Sequence, residues 1–260
     1  MTLLAEERQQ LILQQLEETG KVKVIPLAQQ LEVSNETIRR DLDALEEQRK
    51  LKRVYGGAVK LTHFDGEPSY TMRRKLNQEG KQAIGREAAR LLQDGDTVFM
   101  DTGTTVLEMT RYLAGKKNIT IVTNSLPAAS ALLQALSLEQ FTGKVILLGG
   151  EISVQQQSVS GILAHELLKQ FTLDKAFLSV GGISPAQGIT DYDMNESLVS
   201  RLAAGQASEV ILLADHSKIG STAFCQIAPL HTADVIISDQ ELPGGWKEEL
   251  ERIGVAWIKS

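Results

Sequence analysis

Between Gly20 and Val59 the chain sets two short helices almost back to back, a spacing that few folds accommodate. Leu27-Ala28-Gln29-Gln30-Leu31 has the pattern of a short helix, Glu32-Val33-Ser34 is long enough only for a tight turn, and a second helix is expected from about Asn35 to Glu47. On that second helix Ile38, Leu42 and Leu45 fall on one side, while Glu36, Arg40, Asp43 and Glu47 point the opposite way. Ser34 or Asn35 supplies its N-cap. Such a pair predicts a helix-turn-helix, whose second helix enters the DNA major groove by its N-terminal end. The polar run Ser34-Asn35-Glu36-Thr37 then sits where base edges are met, with Arg39 and Arg40 one turn further in. Arginine can fork onto guanine or grip phosphate, and both remain open for these two.

The ordinary alternative is an amphipathic helix pair whose charges merely face water. Against it stands the stretch from Arg49 to Lys60, which carries Arg49, Lys50, Lys52, Arg53 and Lys60 without one acid. Leu51–Val59 reads as a basic hairpin, with Gly56-Gly57 permitting the positive φ angles of a tight tip. Lys52, Arg53, Tyr55, Gly56 and Gly57 are therefore candidates for contact with the DNA backbone beside the groove. Upstream, a helix is expected near Ala5–Glu18 with Leu11, Ile12 and Leu16 as apolar anchors, ended by Gly20, and Lys21-Val22-Lys23-Val24 is strand-like.

Val33-Ser34-Asn35-Glu36-Thr37-Ile38-Arg39-Arg40-Asp41-Leu42, followed by Arg53-Val54-Tyr55-Gly56-Gly57-Ala58, resembles the winged helix-turn-helix of DeoR-type bacterial repressors. One departure stands out: Tyr55 occupies a position where that family usually has histidine, a change that bears on wing contacts.

At 260 residues the chain has room for a small domain and a larger one with a sizeable core. Residues 1–60 form the expected DNA-binding domain, 61–80 a linker (Leu61–Pro68) and connecting helix, and 81–260 an α/β sensor domain. The net charge of −6 looks wrong for a DNA binder, but residues 1–60 hold ten charges of each sign, so the acidity belongs to the rest. Such a chain should bind DNA with strong salt dependence and modest non-specific affinity. No apolar run approaches a membrane span and no signal pattern opens the sequence, so no membrane partner and a cytoplasmic, nucleoid-associated location are expected. The single cysteine, Cys225, excludes an internal disulfide and a Cys-rich zinc site. His63, His165, His216 and His231 lack metal-ligand spacing, so neither a metal nor a cofactor is expected.

Tyr70–Gly95 is mostly helical by pattern, with Ile84, Ala88, Leu91 and Leu92 on one stripe. Beyond it, strand-like runs at Thr97–Met100, Ile119–Val122, Lys144–Leu148, Ala176–Val180, Val210–Ala214, Val235–Ser238 and Val255–Ile258 alternate with helical stretches near 104–114, 126–138, 160–170, 195–207 and 246–253. That alternation predicts an α/β fold with a mostly parallel sheet covered on both faces. In such sheets ligands collect at the carboxyl ends of the strands. Those ends read Asp101-Thr102-Gly103-Thr104-Thr105, Thr123-Asn124-Ser125, Gly149-Gly150, Gly181-Gly182 and Asp215-His216-Ser217-Lys218. The first leads into a helix, whose free amides and positive dipole end favour phosphate. Each run alone is weak: Thr104 and Thr105 could be simple caps and Gly149-Gly150 a simple turn. Their repetition along one edge favours a small phosphorylated ligand, since G-x-x-x-x-G-K-[ST] and G-x-G-x-x-G are both absent.

The same runs, with Asp174–Gly182, resemble the DeoR-type sensor domain, whose fold is of the ribose-5-phosphate isomerase type, and Tyr70, Arg73, Asn77 and Lys81 resemble the family's connection between its domains. The resemblance implies a repressor of sugar-catabolic genes, released from operator DNA by a sugar phosphate or a related intermediate and working as a homo-oligomer, dimer or tetramer. It implies phosphate contacts from Gly103, Thr104 and Thr105, with Asn124, Asp191, Glu196 and above all Lys218 toward sugar hydroxyls or the phosphate charge; Asp101, Gly149, Gly150 and Gly182 complete the candidate set. For Asp191 and Glu196 a solvated loop or helix face is an equal reading. The rival function is a sugar-phosphate isomerase with an appended DNA-binding module, using Asp191, Glu196, Asp215 and Lys218 as base and electrophile. A recognition helix would be superfluous to it, so no catalytic residue is assigned.

Overall fold

Ile12 and Leu16 give the first helix, α1 (Ala5–Thr19), its buried side, and Gly20 ends it in the left-handed conformation. Leu11, expected beside them, is 42% exposed, because a position one residue earlier turns about 100° away from the core. The computed structural model describes residues 4–47, 50–59 and 67–260, and the chain divides between residues 65 and 66 into two compact units. Arg49, Lys60, Leu61 and His63, named above, lie outside the described residues, as does the side chain of Glu47.

In the first unit β1 (Lys21–Lys23) leads into α2 (Val24–Gln30), α3 (Asn35–Glu47), β2 (Lys52–Val54) and β3 (Gly57–Val59). Val24, expected to end a strand, opens α2 instead, since Pro26 lies in the first turn, where its missing amide costs nothing. Ile38, Leu42 and Leu45 are wholly buried against Ile12, Leu16, Leu27 and Ala58. The strands pair antiparallel in the order β1-β3-β2. The hairpin tip is Tyr55-Gly56, not Gly56-Gly57: Gly56 takes φ +79°, while Gly57 pairs with Val54 and Lys23 inside the sheet. A Cβ on Gly57 would stand 2.0 Å from the Val22 carbonyl oxygen, so the second glycine serves strand approach rather than the turn.

The second unit opens with α4 (Tyr70–Lys75) and α5 (Gln78–Arg90). The single helical stretch expected over 70–95 is broken because Asn77 adopts a left-handed φ of 51°. Then come β4 (Thr97–Met100), α6 (Thr104–Glu108), β5 (Ile119–Thr123), α7 (Leu126–Ser137) and β6 (Gly143–Leu147). A hairpin, β7 (Glu151–Ser153) and β8 (Ser158–Ser160), precedes α8 (Ile162–Leu168) and β9 (Leu173–Ser179). A second small hairpin, β10 (Gly182–Ser184) and β11 (Gly188–Asp191), is followed by α9 (Met194–Gln206), β12 (Ala207–Leu213), β13 (Cys225–Ala228), β14 (Val235–Ser238), α10 (Lys247–Ile253) and β15 (Ala256–Lys259).

Seven strands form a wholly parallel sheet in the order β15-β14-β12-β9-β4-β5-β6. Alternation along β4 sends Val98 and Met100 into one apolar layer, with Ile84, Val106 and Leu132, and Phe99 into the other, with Ala164, Leu168, Val199 and Leu250. The chain runs outward from β4 to β6, returns to β9 on the other side of β4, and runs outward again to β15. The direction therefore reverses between β4 and β9, which opens a crevice at their carboxyl ends. Among the described residues no helix is long and apolar enough to cross a membrane.

The first unit also buries a forked ion pair between Arg8 on α1 and Asp41 on α3, with Arg8 Nη2 donating to Asp41 Oδ1 at 2.9 Å. Removing one partner strands the other charge in an apolar core. Asp41→Ala is expected to destabilise the first unit by about 3–5 kcal/mol, seen as faster amide exchange across α1–α3, while Arg8→Met combined with Asp41→Leu recovers most of the loss.

Candidate functional site

Ser34, rather than Asn35, caps α3: its Oγ accepts the Thr37 amide at 3.1 Å and lies 2.9 Å from the Thr37 hydroxyl. The first turn of α3 is thereby fixed with Asn35, Glu36, Arg39 and Arg40 exposed, the arginines held loosely by Glu36 at 3.4 and 4.0 Å. Exposed pairs at such distances contribute little, so both guanidiniums can turn to DNA without a large loss. Tyr55 stands fully exposed at the hairpin tip, and Lys52 is exposed on β2. Arg53 differs. Its Nε meets Asp43 at 2.9 Å, its Nη1 donates to the Gly57 carbonyl at 3.0 Å, and its own amide donates to Glu46 at 2.7 Å, so it fastens the hairpin to α3.

In the second unit the loop after β4 carries the chemistry. Gly103 precedes α6 at φ +136°, and an added Cβ would strike the Ser179 hydroxyl at 2.5 Å, so the loop can run against β9 only as glycine. Ser179 donates to the Thr102 carbonyl across that join. Thr104 and Thr105 are the first residues of α6 and not its cap, and no side chain caps the helix. The first-turn amides thus point out of a buried helix end. Ser125, in contrast, is a plain cap of α7, accepting the Ala128 amide at 3.2 Å.

Asp101 is buried at this join. One carboxyl oxygen accepts the Thr102 amide at 2.8 Å and the other accepts the Ser200 hydroxyl at 2.8 Å. Burial pushes its pKa up to about 7, although Ser200, the Thr102 amide and the neighbouring Asn124 amide favour the charged form. Asn124 has no exposed surface; its amide lies near enough to Asp101 to favour the carboxylate, but neither of its atoms meets a partner at full hydrogen-bond geometry among the described residues, and the Thr102 hydroxyl is likewise buried and unpaired.

The reading of Asp191 and Glu196 as solvated is overturned: they are only 7% and 3% exposed. Asp191 ends β11 and Glu196 lies in the first turn of α9, so the second, three-stranded sheet (β10-β11-β13) brings them toward Asp101. Burial, then the charges of Glu67 and Asp101, hold Asp191 near 7 despite the Tyr192 amide and Lys218. Burial lifts Glu196 to about 8, with Asp191 and Asp101 adding to the effect of burial, while the Ser158 hydroxyl on β8 opposes it. Asp215 goes the other way: burial would raise it, but the Ser217 hydroxyl, Lys218 and Lys81 together hold it below the usual carboxylate range. Lys218 lies with its ammonium 5.7 Å from the centre of the Tyr192 ring.

The glycines separate by role. Gly149 is open, whereas a Cβ on Gly150 or Gly182 would stand 2.4 Å from a backbone oxygen, of Ser160 and Ser221 respectively, so those two are set by packing of the hairpins. Residues not picked out by sequence join the crevice too: Thr102 and Ser179 lay inside marked runs, but Ser158 and Ser200 are single hydroxyls with no local pattern to mark them. Among the described residues no group of three or more His, Cys, Asp and Glu is placed to hold a metal ion.

A raised carboxyl pKa means the folded state binds protons that the unfolded chain has released, so stability falls as pH rises from about 4 through about 8. Glu196→Gln removes one such group. Between pH 5 and 8 the wild type is expected to lose stability on the order of 2–4 kcal/mol more than the variant, measured by urea unfolding at matched ionic strength; parallel pH profiles would contradict the assignment.

Residues 8–64 match the model of the DeoR-like helix-turn-helix domain, and residues 76–240 match that of the DeoR C terminal sensor domain. The chain is 38% identical over 250 residues to the HTH-type transcriptional repressor GlcR of Bacillus subtilis (strain 168), covering 96% of this chain and 94% of the relative. It is 33% identical over 236 residues to the HTH-type transcriptional regulator GolR of Listeria innocua serovar 6a, covering 91% of each. Among solved structures, ribose 5-phosphate isomerase A from Methanocaldococcus jannaschii aligns over 55% of each chain at 16% identity, with a TM-score of 0.38. Matched in both halves and along nearly its whole length, the chain belongs to the DeoR family of helix-turn-helix transcriptional regulators.

Proposed function

We propose that this chain represses sugar-catabolic genes by binding operator DNA through Ser34–Thr37, Arg39, Arg40 and the hairpin Lys52–Gly57, and that a phosphorylated sugar, or a related phosphorylated intermediate, bound at the β4/β9 crevice releases it. The observation that carries the ligand reading is the Asn124 amide, buried with both atoms unpaired beside Asp101 at the point where the sheet reverses. A buried amide left unpaired costs about 1–3 kcal/mol, and a polyhydroxyl ligand supplies both partners. Carboxyls poised near 7 to 8 can donate or accept, which suits hydroxyl groups. The uncapped start of α6 at Gly103–Thr105, with Lys218 across the crevice, suits the phosphate. Repression and release are then linked equilibria, coupled by about 1–3 kcal/mol, and a two-fold oligomer would place two reading heads about one helical turn (~34 Å) or a multiple apart.

The test is a thermal-shift screen of pentose and hexose phosphates on the full chain, repeated on the operator complex as a release assay. Arg40→Ala is expected to weaken operator binding by about 1–3 kcal/mol and leave the ligand shift intact. Thr104→Ala and Lys218→Ala are expected to leave operator binding and lose release. Carboxyl groups near neutrality would also suit proton transfer, so the same preparation is assayed for aldose–ketose interconversion. Enzymatic turnover there, with no ligand effect on DNA binding, would overturn the proposal.

A further inference from the structure

Residues 67–81 cross the carboxyl edge of the sheet from one side to the other. Glu67 and Arg73 meet Gln156 in the β7–β8 hairpin, and the Tyr70 amide donates to the Gln155 carbonyl at 3.2 Å. The Tyr70 ring packs on Leu107 of α6 and Ala128 of α7, above the ends of β4 and β5. Asn77 Nδ2 then donates to Asp215 Oδ1 at 3.1 Å, and the Lys81 ammonium lies 4.0 Å from the same carboxyl, beyond the end of β12. The segment is thus a roof over the crevice rather than a mere connection.

One end of this roof is a closed ring of three side chains, Glu67 and Gln156 buried and Arg73 partly so. Arg73 Nη1 pairs with Glu67 Oε1 at 2.7 Å, Gln156 Nε2 donates to Glu67 Oε2 at 2.7 Å, and Arg73 Nη2 donates to Gln156 Oε1. The third guanidinium nitrogen, Nε, is buried without a partner, and so is the hydroxyl of Tyr70, whose ring lies under the guanidinium. Glu67 also lies close enough to Asp191 for the two carboxylates to repel. It is the first described residue after 61–66, through which the chain is joined to the DNA-binding unit.

We propose that the Glu67–Arg73–Gln156 ring is the coupling between crevice and linker: Arg73 turns from Glu67 to the anionic group of a bound phosphorylated ligand, and Glu67 leaves the ring. The chemistry favours this exchange. Arginine forks onto phosphate as well as onto carboxylate. Once Arg73 has turned, Glu67 is a buried charge without a cation, beside another carboxylate, and such a group moves to solvent. It draws residues 67–69 with it, and Ser69 caps α4 through the Met72 amide at 3.5 Å, so the start of α4 loosens.

The inference rests on the phosphorylated-ligand reading, and the experiment separates the two. The probe is whichever member of the pentose- and hexose-phosphate panel gives the largest thermal shift on the full chain, with inorganic phosphate beside it, and the readout is amide exchange over residues 67–76. The probe is expected to speed exchange there at least tenfold in the wild type. Glu67→Gln, which leaves Arg73 without its charged partner, is expected to show fast exchange without any probe and to release operator at about a tenth of the wild-type probe concentration. Gln156→Ala opens the ring from the hairpin side and is expected to act in the same direction, which keeps the test sound should Glu67→Gln fold poorly. A thermal shift with exchange unchanged over 67–76, or variants released only at the wild-type concentration, overturns the ring as coupling. No shift with any panel member removes the phosphate reading and the ring together.

Discussion

A parallel sheet has one polarity, and seven strands that share it must all deliver their final residues to the same edge. That constraint gathers the chemistry of the second unit. Asp101, Asn124 and Asp215 are far apart in sequence, yet the first two follow directly on β4 and β5 and the third stands two residues past the end of β12 in the same sheet. Reversal of strand order between β4 and β9 sends the following loops to opposite sides and keeps the edge open at their junction. Gly103 lets β4's loop lie against β9 at that junction, where any side chain would collide with Ser179. Polarity brings the groups to one edge, and a single glycine sets how closely they meet.

The same junction concentrates electrostatic cost. Asp101, Asp191 and Glu196 are buried within reach of one another's charge, and all three are driven toward neutrality by the loss of water. A sheet edge built only for stability would hold apolar groups or paired charges there, as Lys175 and Asp96 are paired at 2.7 Å elsewhere in this unit. Unpaired polar atoms add to the cost at Thr102 and Asn124. Buried groups of this kind persist where a partner from outside the fold satisfies them, which is why the edge reads as a site rather than as a core defect.

Much of this was legible in the chain. Continuous apolar runs such as Thr97–Met100 and Val235–Ser238 mark strands buried on both faces, and these two were placed to the residue. The strands β7, β8 and β10, of three residues each, and β11 and β13, of four, were not foreseen, because so short a run that is not continuously apolar carries no periodicity. Their omission had a consequence: β11 is what carries Asp191 into the interior, and without it a solvated loop was as good a reading as a site residue. Asn77 shows a different limit. Its neighbours have helical preferences, but the left-handed turn that splits α4 from α5 follows from a hydrogen bond to Asp215, a residue 138 positions away. Arg8 and Asp41 were hidden for a related reason, since a pair 33 residues apart on amphipathic helices looks like two solvated charges until the helices are packed.

In the first unit, counting basic residues overstates what is free to meet DNA. Arg53 was grouped with the hairpin's cations, but two partners in α3 and the Gly57 carbonyl hold it as a brace. Arg8 is spent on Asp41 in the core. With residues 1–60 electrically neutral overall, bulk attraction to phosphate contributes little beyond the exposed Lys21, Lys23, Lys50 and Lys52 and the two arginines of α3. Each phosphate contact adds about 0.9 to the salt slope of binding, so these exposed cations would make the head's binding salt-dependent without giving it much non-specific affinity. Its discrimination must then rest on how α3 is held, and the Ser34 cap, the Arg53 brace and the buried Ile38, Leu42 and Leu45 all serve to hold it. On the proposed reading, a second copy on the same duplex would reinforce the contacts of the first through effective concentration. Under the proposed release, a ligand that changed how two such heads are presented would act on the product of two interactions, so a modest coupling at the sensor would suffice.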